Sequence, residues 1–377
     1  MKIVIIGTAH PFRGGLASFN ERMAKELQSE GHEVTIFTFT VQYPSFLFPG
    51  KTQFSDEPAP EGIQIIRKVS SVNPFNWCKV GKELRKMAPD LILVKYWLPF
   101  MGASFGTILR NAKKNKKTKV IAVLDNIIPH EKRFGDKQLT NYFVKPIDAF
   151  ISMSKSVQDD LNQFDSKKPR AFNPHPIFDN FGNPVSRKEA ADFLKLDEKE
   201  KYILFFGIIR DYKGLDWLLK AFNQSKFRNE VKLIVAGEYY SNQDKYEALI
   251  DELNLRERII VHNEFIRDSE VKYCFSLANL VVQPYKNATQ SGVTQIAYQF
   301  DCPMIVTNVG GLPEMIPHNK IGLVVEPTVE AITSAIDTYF ENNLEQTFRQ
   351  NFEAEKKKYA WAKLNETIYS LFNQIKP

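Results

Sequence analysis

Short runs of β-branched and aromatic residues alternate with amphipathic segments along the first half of the chain. These runs predict strands at 2–7, 33–39, 63–67, 90–96, 119–125 and 148–152. Between the first two runs, Leu16, Phe19, Met23 and Leu27 are spaced as one face of a helix, which we expect to end at Gly31. This alternation is typical of a parallel sheet covered by helices on both faces.

The alternation is interrupted at residues 173–185, which are rich in Pro, Asn and Gly and predict a linker. The second half then predicts strands at 202–207, 231–237, 258–262, 279–284, 303–307 and 322–327, and an amphipathic helix at 359–375. The predicted fold class is α/β, with two doubly wound, Rossmann-like domains at 1–180 and 181–358. Open parallel sheets bind ligands at the carboxyl ends of their strands, so we expect a site in an interdomain cleft.

Composition narrows the class of protein. The chain has 377 residues, enough for two domains, and is 43% hydrophobic and 25% charged, with no apolar run long enough to span a membrane. Cys78, Cys274 and Cys302 lie far apart and form no CxxC or Cys/His cluster, so we expect neither disulfides nor a zinc site. We interpret the first apolar run as a buried strand and not a signal peptide, and we expect a cytoplasmic protein.

Positive charge is concentrated in the first domain. Residues 1–180 contain 26 Lys and Arg against 17 Asp and Glu, and much of the excess lies in RNAKKNKKTK (110–119). This stretch is either a solvated helix end or a surface for anionic lipid headgroups or an acidic acceptor. The second interpretation would place the protein peripherally on the inner face of the membrane. No recognised nucleic-acid motif accompanies the charge, so we expect no nucleic-acid partner.

Three loops that follow predicted strands carry candidate binding residues. The first, GTAHPFRGGLASF (7–19), reaches Gly14 and Gly15 as a helix opens, where free N–H groups attract anions and glycine lets a ligand approach the backbone. A NAD-binding fold would place G-x-G-x-x-G here and an acidic residue about 20 positions later. Neither is present, so the sequence argues against a dehydrogenase.

The second loop lies within FFGIIRDYKGLDWLLKAF (205–222). A predicted strand ends at Gly207, and Arg210 and Lys213 follow before a helix at 215–223. These residues are either surface cations beside a turn or ligands of a diphosphate, with Arg acting as a fork and Lys as a point charge. Their position at the carboxyl end of a strand favours the diphosphate.

The third loop, PYKNATQSG, precedes a helix that starts within SGVTQIAYQF, so its N–H groups and dipole face the same edge of the sheet. Thr289 or Ser291 is the expected helix cap, and Gly292 permits close approach of a sugar or phosphate. We expect ligand contacts from this whole segment, namely Thr289, Gln290, Ser291, Gly292, Val293, Thr294 and Gln295.

Together these motifs resemble the retaining glycosyltransferases of family 4 (glycosyl transferases group 1), which have the GT-B fold. The resemblance rests on GGLASFNERMAKELQSEGHEVTIFT (14–38), FFGIIRDYKGLDWLL (205–219) and PMIVTNVGGLPE (303–314), and it covers nearly the whole chain. Trp361 marks the counterpart of the family's C-terminal helix. The resemblance therefore implies that residues 359–377 pack back on the first domain.

The resemblance also implies a reaction: transfer of a sugar from a nucleotide-diphosphate donor, with retention at the anomeric carbon, in surface polysaccharide or glycolipid synthesis. It implies that the second domain binds the nucleotide-sugar donor and the first binds a glycan or lipid-linked acceptor. Arg210 and Lys213 take the place of the cations that stabilise the leaving diphosphate. Because protein cations fill that role, the resemblance implies that the reaction needs neither a cofactor nor a metal ion.

The chain departs from the family at a pair of Glu residues eight positions apart. Counting back from Pro303, these would fall within 288–290 and at 295–296, where the sequence has no carboxylate. Gln290 and Gln295 retain hydrogen bonding but supply no negative charge. A carboxylate nucleophile at these positions is excluded. A front-face displacement, in which the departing phosphate oxygen takes the acceptor proton, is compatible with the sequence.

Other candidates have two interpretations each. His130 orients a donor phosphate or sugar hydroxyl, as a histidine in this part of the family's fold often does, or is an ordinary loop residue. Glu238 and Glu314 are candidate donor contacts, and Glu314 alternatively braces the helix that follows the Gly-Gly turn. The aromatic loop 41–54 is an acceptor lid or packs on its own domain. His10 has a local turn role or contacts substrate.

Two other functions are compatible with the same sequence. One is a nucleotide-sugar epimerase of the same fold, which would need its own acid and base groups and no acceptor. The other is a non-catalytic nucleotide-sugar-binding subunit that has lost its acidic residues. The sequence leaves the sugar, the base, the acceptor and the oligomeric state open.

Overall fold

A computed structural model of the chain describes residues 1–45, 48, 50–129, 133–240 and 242–375. The chain forms two compact units, each with its own parallel sheet and hydrophobic core. Unit 1 contains Met1–Phe48, Thr52–Pro176 and Ala360–Pro377, and unit 2 contains Ile177–Tyr359 and Pro49–Lys51. The predicted α/β class with two doubly wound domains is confirmed.

The sheet of unit 1 is parallel throughout its described strands. In chain order these are β1 (Lys2–Ile6), β2 (Glu33–Val41), β3 (Gln64–Ser70), β4 (Leu91–Tyr96), β5 (Lys119–Leu124), β6 (Ala149–Ser152) and β7 (Arg170–Phe172). They are arranged in the order β3-β2-β1-β4-β5-β6-β7. All residues of β4 are buried, because helices cover both faces of the sheet and the strand must be apolar on both.

Helices of unit 1 cover both faces of this sheet. They are α1 (Gly15–Ser29), α2 (Pro74–Met87), α3 (Gly102–Ala112), α4 (Asp136–Val144) and α5 (Lys155–Leu161). Helix α2 packs on α3, and α3 packs on α4. A Cβ added to Gly81 would lie 2.5 Å from Asn111 Cβ, so glycine allows α2 and α3 to approach closely.

Unit 2 repeats the design with a six-stranded parallel sheet. Its strands are β8 (Lys201–Phe206), β9 (Val231–Ala236), β10 (Ile259–His262), β11 (Leu280–Gln283), β12 (Met304–Thr307) and β13 (Gly322–Val325), in the order β10-β9-β8-β11-β12-β13. Its helices are α6 (Arg187–Leu194), α7 (Leu215–Gln224), α8 (Gln243–Glu252), α9 (Val271–Leu277), α10 (Gly292–Gln299), α11 (Leu312–Met315), α12 (Val329–Glu341) and α13 (Leu344–Lys356). The order places β8 and β11 side by side, so the loops after them lie at one edge of the sheet.

The last helix, α14 (Trp361–Gln374), belongs to unit 1 although it follows unit 2 in the chain. The rings of Trp361 and Phe19 lie 5.1 Å apart, and Leu364 and Ile368 are fully buried. Asn365 Nδ2 donates to Glu30 Oε1 at 2.7 Å. These contacts attach α14 to α1 and to the sheet of unit 1.

Predicted and observed strands agree to within a few residues, with one omission. Strand β7 was not predicted, because it has three residues, all of them half-buried, and such a segment has no recognisable apolar period. The predicted C-terminal helix begins at Trp361, two residues later than expected. Across the described ranges, no helix combines the length and apolar character required to cross a bilayer.

Candidate functional site

The loop after β8 brings Lys213 against the backbone at the strand's carboxyl end. Gly207 has φ +95°, and a Cβ added there would lie 3.2 Å from Lys213 Nζ and 3.5 Å from Val293 Cγ2. Gly207 is thus the point at which the Lys213 ammonium and the first turn of α10 converge. A side chain at this position would compete for the same space, which explains the glycine.

A second glycine fixes the end of this loop. Gly214 has φ +71°, and an added Cβ would lie 2.0 Å from the Pro284 carbonyl oxygen. The Lys286 N–H also donates to the Tyr212 carbonyl at 2.7 Å. The loops after β8 and β11 are therefore held together by backbone contacts, and Lys213 projects from a fixed turn.

The electrostatics of Arg210 and Lys213 are unbalanced. Burial, followed by the positive charge of Arg210, lowers the pKa of Lys213 to about 8. Within the described part of the chain, neither side chain has a hydrogen bond or carboxylate partner; Arg210 lies 5.4 Å from the Tyr240 ring centroid and Lys213 5.6 Å from that of Tyr285. A partly buried cation without a counter-ion is costly, and a bound anion would remove that cost.

Carboxylates near these cations are engaged with other groups. Asp211 accepts hydrogen bonds from Tyr246 and Asn242 at 2.9 and 2.8 Å, which helps to lower the pKa of its carboxyl. Asp216 is paired with Lys286 at 2.8 Å. Each local acid thus has its own partner, and the positive charge at Gly207 remains available to a ligand.

The first turn of α10 presents backbone N–H groups beside Gly207. Ser291 occupies the N-cap position, but its side chain makes no capping hydrogen bond; its hydroxyl lies 3.3 Å from the Tyr285 hydroxyl. Gly292 lies under Phe178, since an added Cβ would be 3.1 Å from Phe178 Cε2. The Phe178 ring thus occupies the space at Gly292 where close approach of a ligand was expected, and the first turn of α10 brings the positive end of a short helix dipole near the Lys213 ammonium.

The Gly-Gly turn after β12 packs directly on the loop that precedes α10. Gly310 has φ +52°, and an added Cβ would lie 1.5 Å from the Ala288 carbonyl oxygen. The Gly311 N–H donates to the Thr289 carbonyl at 3.0 Å. The motif TNVGGLPE thus packs against the loop that precedes α10 and restrains its backbone.

Solved structures with the same architecture are numerous, and two illustrate the likeness. Sucrose-phosphate synthase from Thermosynechococcus elongatus matches with a TM-score of 0.74 at 18% identity, over 99% of this chain and 98% of that one. The Anabaena protein HepE in complex with UDP and glucose matches with a TM-score of 0.74 at 16% identity, over 99% and 100%. At these identities the likeness establishes the GT-B fold.

Sequence comparisons supply the family. The model of Glycosyl transferases group 1 matches residues 186–359, and that of Glycosyltransferase Family 4 matches residues 13–172. An uncharacterised glycosyltransferase of Methanocaldococcus jannaschii is 24% identical over 348 residues, which is 87% of this chain and 85% of that protein. The chain is a GT-B glycosyltransferase.

Two expected side-chain contacts of this glycosyltransferase are directed into the interior of unit 2. Thr294 is fully buried, and its hydroxyl exchanges hydrogen bonds with the Gln283 amide at 3.1 and 3.3 Å. Gln295 is 1% exposed, and its Nε2 lies 3.5 Å from Met315 Sδ. Gln295 Oε1 is buried and has no hydrogen-bond partner among the described residues. Thr289 and Gln290, before the helix, are half-buried.

The two candidate acids of the glycosyltransferase have different surroundings. Glu238, after β9, is 3% exposed, and its Oε1 accepts the N–H of Lys51, in the same unit, at 2.6 Å. Glu314 is exposed in the first turn of α11. Among the described residues, no group of three or more His, Cys, Asp or Glu side chains is arranged to hold a metal ion.

Candidates in unit 1 are placed as follows. Gly14, at φ +95°, precedes α1 and has open space around an added Cβ, and Gly15 is the exposed first residue of the helix. His10 is held locally: its N–H donates to Glu21 at 2.7 Å, and its Nε2 lies 3.2 Å from the carbonyl oxygen of Glu57. His130 lies outside the described residues.

Within loop 41–54, the described residue Tyr43 packs on its own unit. Its hydroxyl accepts the Trp97 Nε1–H at 2.7 Å, and its ring stacks on Phe100 at 6.2 Å. Gln53 Nε2 donates to the Tyr43 carbonyl at 2.9 Å. An acceptor role for this loop stays a prediction.

A buried ionic cluster in unit 1 was not predicted. Lys95 is 1% exposed at the end of β4, with its Nζ 2.8 Å from Asp125 Oδ1 and 3.3 Å from the centre of the Phe19 ring. Burial lowers the pKa of Lys95, and burial together with the Lys95 charge lowers the pKa of His175 to about 3. A single Lys in the otherwise apolar run LILVKY was the available signal.

Proposed function

We propose that this glycosyltransferase transfers a sugar from a nucleoside-diphosphate donor to a glycan or lipid-linked acceptor, with retention at the anomeric carbon. The product would belong to a surface polysaccharide or glycolipid. Unit 2 would bind the donor, with its diphosphate beside Gly207, between Lys213, Arg210 and the first turn of α10. The Anabaena neighbour was crystallised with UDP and glucose, which makes UDP the first nucleotide to test.

The observation that carries this proposal is the uncompensated charge of Arg210 and Lys213. Their mutual repulsion and the burial of Lys213 are unfavourable without a ligand, and a diphosphate between them would remove both costs. During transfer the leaving diphosphate gains negative charge. The same cations extend from a loop whose backbone is held against the loop after β11, so they would stabilise that charge with little movement of the backbone.

Retention is proposed through a front-face displacement. Ala288 and Ile296 are 4% and 6% exposed apolar residues, so these two positions supply no carboxylate nucleophile. In a front-face reaction the phosphate oxygen that leaves the sugar accepts the acceptor proton, and the new bond forms on the same face. This route needs positioning and charge stabilisation, which Arg210, Lys213 and the α10 amides would supply, and it needs no cofactor.

A thermal-shift series with UDP, GDP, ADP and CMP tests the donor site. A nucleotide at about 100 times its Kd adds roughly 2.7 kcal/mol of stability, and the double variant Arg210→Ala/Lys213→Ala should lose most of this effect. Lys226→Ala/Arg228→Ala removes the same charge from another surface of unit 2 and should respond like the parent. An unchanged response in the Arg210/Lys213 variant would refute the diphosphate placement.

Product analysis tests the reaction itself. The protein is incubated with α-linked sugar donors that contain the nucleotide found to stabilise it, with and without extract lipids or glycans. The anomeric configuration of any product is then determined by proton NMR. Nucleotide release that requires an acceptor, with an α-linked product, supports retaining transfer. A β-linked product contradicts retention. Epimerised donor without release would indicate an epimerase, and binding without turnover a non-catalytic subunit.

A further inference from the structure

Helix α2 of unit 1 has one buried and one strongly basic side. Val80, Gly81 and Leu84 are buried against the sheet and α3. The opposite side exposes Lys79, Lys82, Arg85 and Lys86. Lys79, Lys82 and Lys86 follow each other at intervals of three and four residues, which places them in one stripe along the helix.

The turn after α3 adds further cations next to the end of this stripe. Lys114, Lys116 and Lys117 are exposed in that turn. Asn115 fixes its shape, since its Oδ1 accepts the N–H groups of Lys117 and Thr118 at 2.9 and 3.1 Å, and its Nδ2 lies 3.5 Å from the Arg85 carbonyl oxygen. The two groups of cations therefore form one continuous surface, which we call the basic face: Lys79, Lys82, Arg85, Lys86, Lys114, Lys116 and Lys117.

Protein carboxylates do not neutralise the basic face. Glu83 pairs with Lys68, and Asp148 pairs with Lys113, neither of which belongs to the face. Asp90 accepts the N–H of Lys2 at 2.7 Å. None of the seven basic side chains forms an ion pair or hydrogen bond with a residue in the described part of the chain. Their repulsion is therefore relieved only by water, salt or an external anionic partner.

An exposed aromatic residue stands at the other end of the same helix. Phe75, in the first turn of α2, is 88% exposed, and Val72, just before the helix, is 46% exposed. The side chain of Asn73 caps the helix there by accepting the N–H groups of Phe75 and Asn76, so Phe75 projects from an ordered position. Transfer of this large apolar side chain from water into an apolar environment is favourable, and the neighbouring cations are stabilised by negative charge. A partner that provides both environments therefore fits this end of the helix best.

We propose that α2 and the turn after α3 dock on an anionic lipid bilayer, with the basic face over the headgroups and Phe75 inserted at the interface. Anionic headgroups supply negative charge and the acyl boundary supplies an apolar environment, whereas a polyanion in water supplies only the charge. The proposal assigns lipid binding to one defined surface. The sequence alone allowed two interpretations of the Lys-rich turn in this surface, a lipid-binding region or a solvated helix end. The inference does not depend on the donor site, which lies in unit 2.

Vesicle sedimentation of the full chain tests the proposal. The protein should bind vesicles of phosphatidylcholine with phosphatidylglycerol and not vesicles of phosphatidylcholine alone, and binding should fall as salt is added. Each cation near the surface contributes about fivefold to partitioning, so Lys82→Gln/Arg85→Gln/Lys86→Gln should lose about a hundredfold. Phe75→Ser should weaken binding about tenfold at equal salt, because burial of the ring is lost.

Matched controls separate charge at this surface from charge in general. Lys188→Gln/Lys195→Gln/Lys199→Gln removes three exposed cations from unit 2 and should bind vesicles like the parent. Melting temperature and nucleotide response should be unchanged in every variant, which shows that folding and the donor site are intact. Equal binding to both vesicle types, or parental binding by the α2 triple variant, would refute the docking surface. Tight heparin binding without vesicle binding would assign the face to a soluble polyanion instead and overturn the proposal.

Discussion

The Lys213 ammonium loses its proton at a lower pH than an ordinary lysine does. Its pKa of about 8 reflects burial and the neighbouring Arg210, and both effects disfavour the charged form. A bound diphosphate favours that form and would raise the pKa. Donor binding and proton uptake by Lys213 should therefore be linked.

Nucleotide affinity should consequently fall as the pH rises through 8. Above this value the free protein loses the Lys213 proton that binding requires, so the apparent Kd of the stabilising nucleotide should increase up to tenfold per pH unit. Below pH 8 Lys213 is already charged, and it should contribute no pH dependence. Calorimetric titration across this range, in buffers of different ionisation enthalpy, measures both the Kd and the proton uptake.

Lys213→Arg provides the control, because an Arg side chain stays charged throughout this range. The variant should lose the pH dependence even if its affinity is lower. If its Kd rises above pH 8 as steeply as that of the parent, another group is responsible and Lys213 is not the linked residue.

In the proposed donor site, the location of a residue could be predicted where the alternation of strands and helices determines it. The direction of a side chain could not be predicted where it depends on tertiary packing. Arg210 and Lys213 follow a strand and precede a helix, so their location at the carboxyl edge followed from alternation alone. The direction of Thr294 and Gln295 depends on contacts with Gln283 and Met315, which are distant in sequence. No local pattern in SGVTQIAYQF contains that information.

Among the elements, the one described strand that the sequence did not predict is β7, the shortest. Strand β4 is buried along its whole length and gives a continuous apolar run, whereas β7 has three half-buried residues. The Lys95–Asp125 pair joins the ends of β4 and β5, an arrangement that follows from their adjacency in the sheet. A sequence shows the unusual Lys but not the strand that supplies its partner.

The turn between β12 and α11 allows a test of how elements support the site. Gly310→Ala would place a Cβ 1.5 Å from the Ala288 carbonyl oxygen, so either this turn or the loop before α10 must move. We expect a loss of more than about 4 kcal/mol of stability or a clear loss of nucleotide response, because the backbone of either segment can move away only at a large cost in free energy. Thermal unfolding with and without nucleotide measures both effects.

Gly14→Ala is the matched comparison. Gly14 also has a positive φ, +95°, but nothing lies within 4 Å of an added Cβ. This variant should lose roughly 1–3 kcal/mol, because φ +95° and ψ 174° place the backbone in a region that non-glycine residues almost never adopt. Equal losses in the two variants would show that backbone conformation, and not the contact with Ala288, is what Gly310 provides.

At the scale of the whole molecule, unit 1 is discontinuous and unit 2 is almost continuous in sequence. Removal of residues 360–377 deletes α14 and exposes the surfaces that Trp361, Leu364 and Ile368 cover. Burial of each such side chain contributes about 1.5–3 kcal/mol, so the total approaches the stability of an ordinary domain. The truncated chain should lose the folded state of unit 1 while unit 2 keeps its nucleotide response.

Limited proteolysis with and without nucleotide distinguishes these outcomes. Cleavage within 1–176 should become rapid after truncation, and the fragment that contains 177–359 should remain protected by nucleotide. Leu364→Ala, which removes one buried side chain of α14, should give the same pattern more weakly, with a loss of about 2–5 kcal/mol. Unchanged protection of 1–176 in the truncated chain would contradict the assignment of α14 to unit 1.

The return of α14 to unit 1 also has a consequence for synthesis on the ribosome. Unit 2 is translated between the two parts of unit 1, and at about 5–20 residues per second residues 177–360 take roughly 10–40 s to make. During that interval the nascent first unit lacks the helix that covers α1 and part of its sheet, whereas unit 2 emerges complete. The domain that starts first is therefore finished last, and its uncovered apolar surface is the place where a chaperone would be needed.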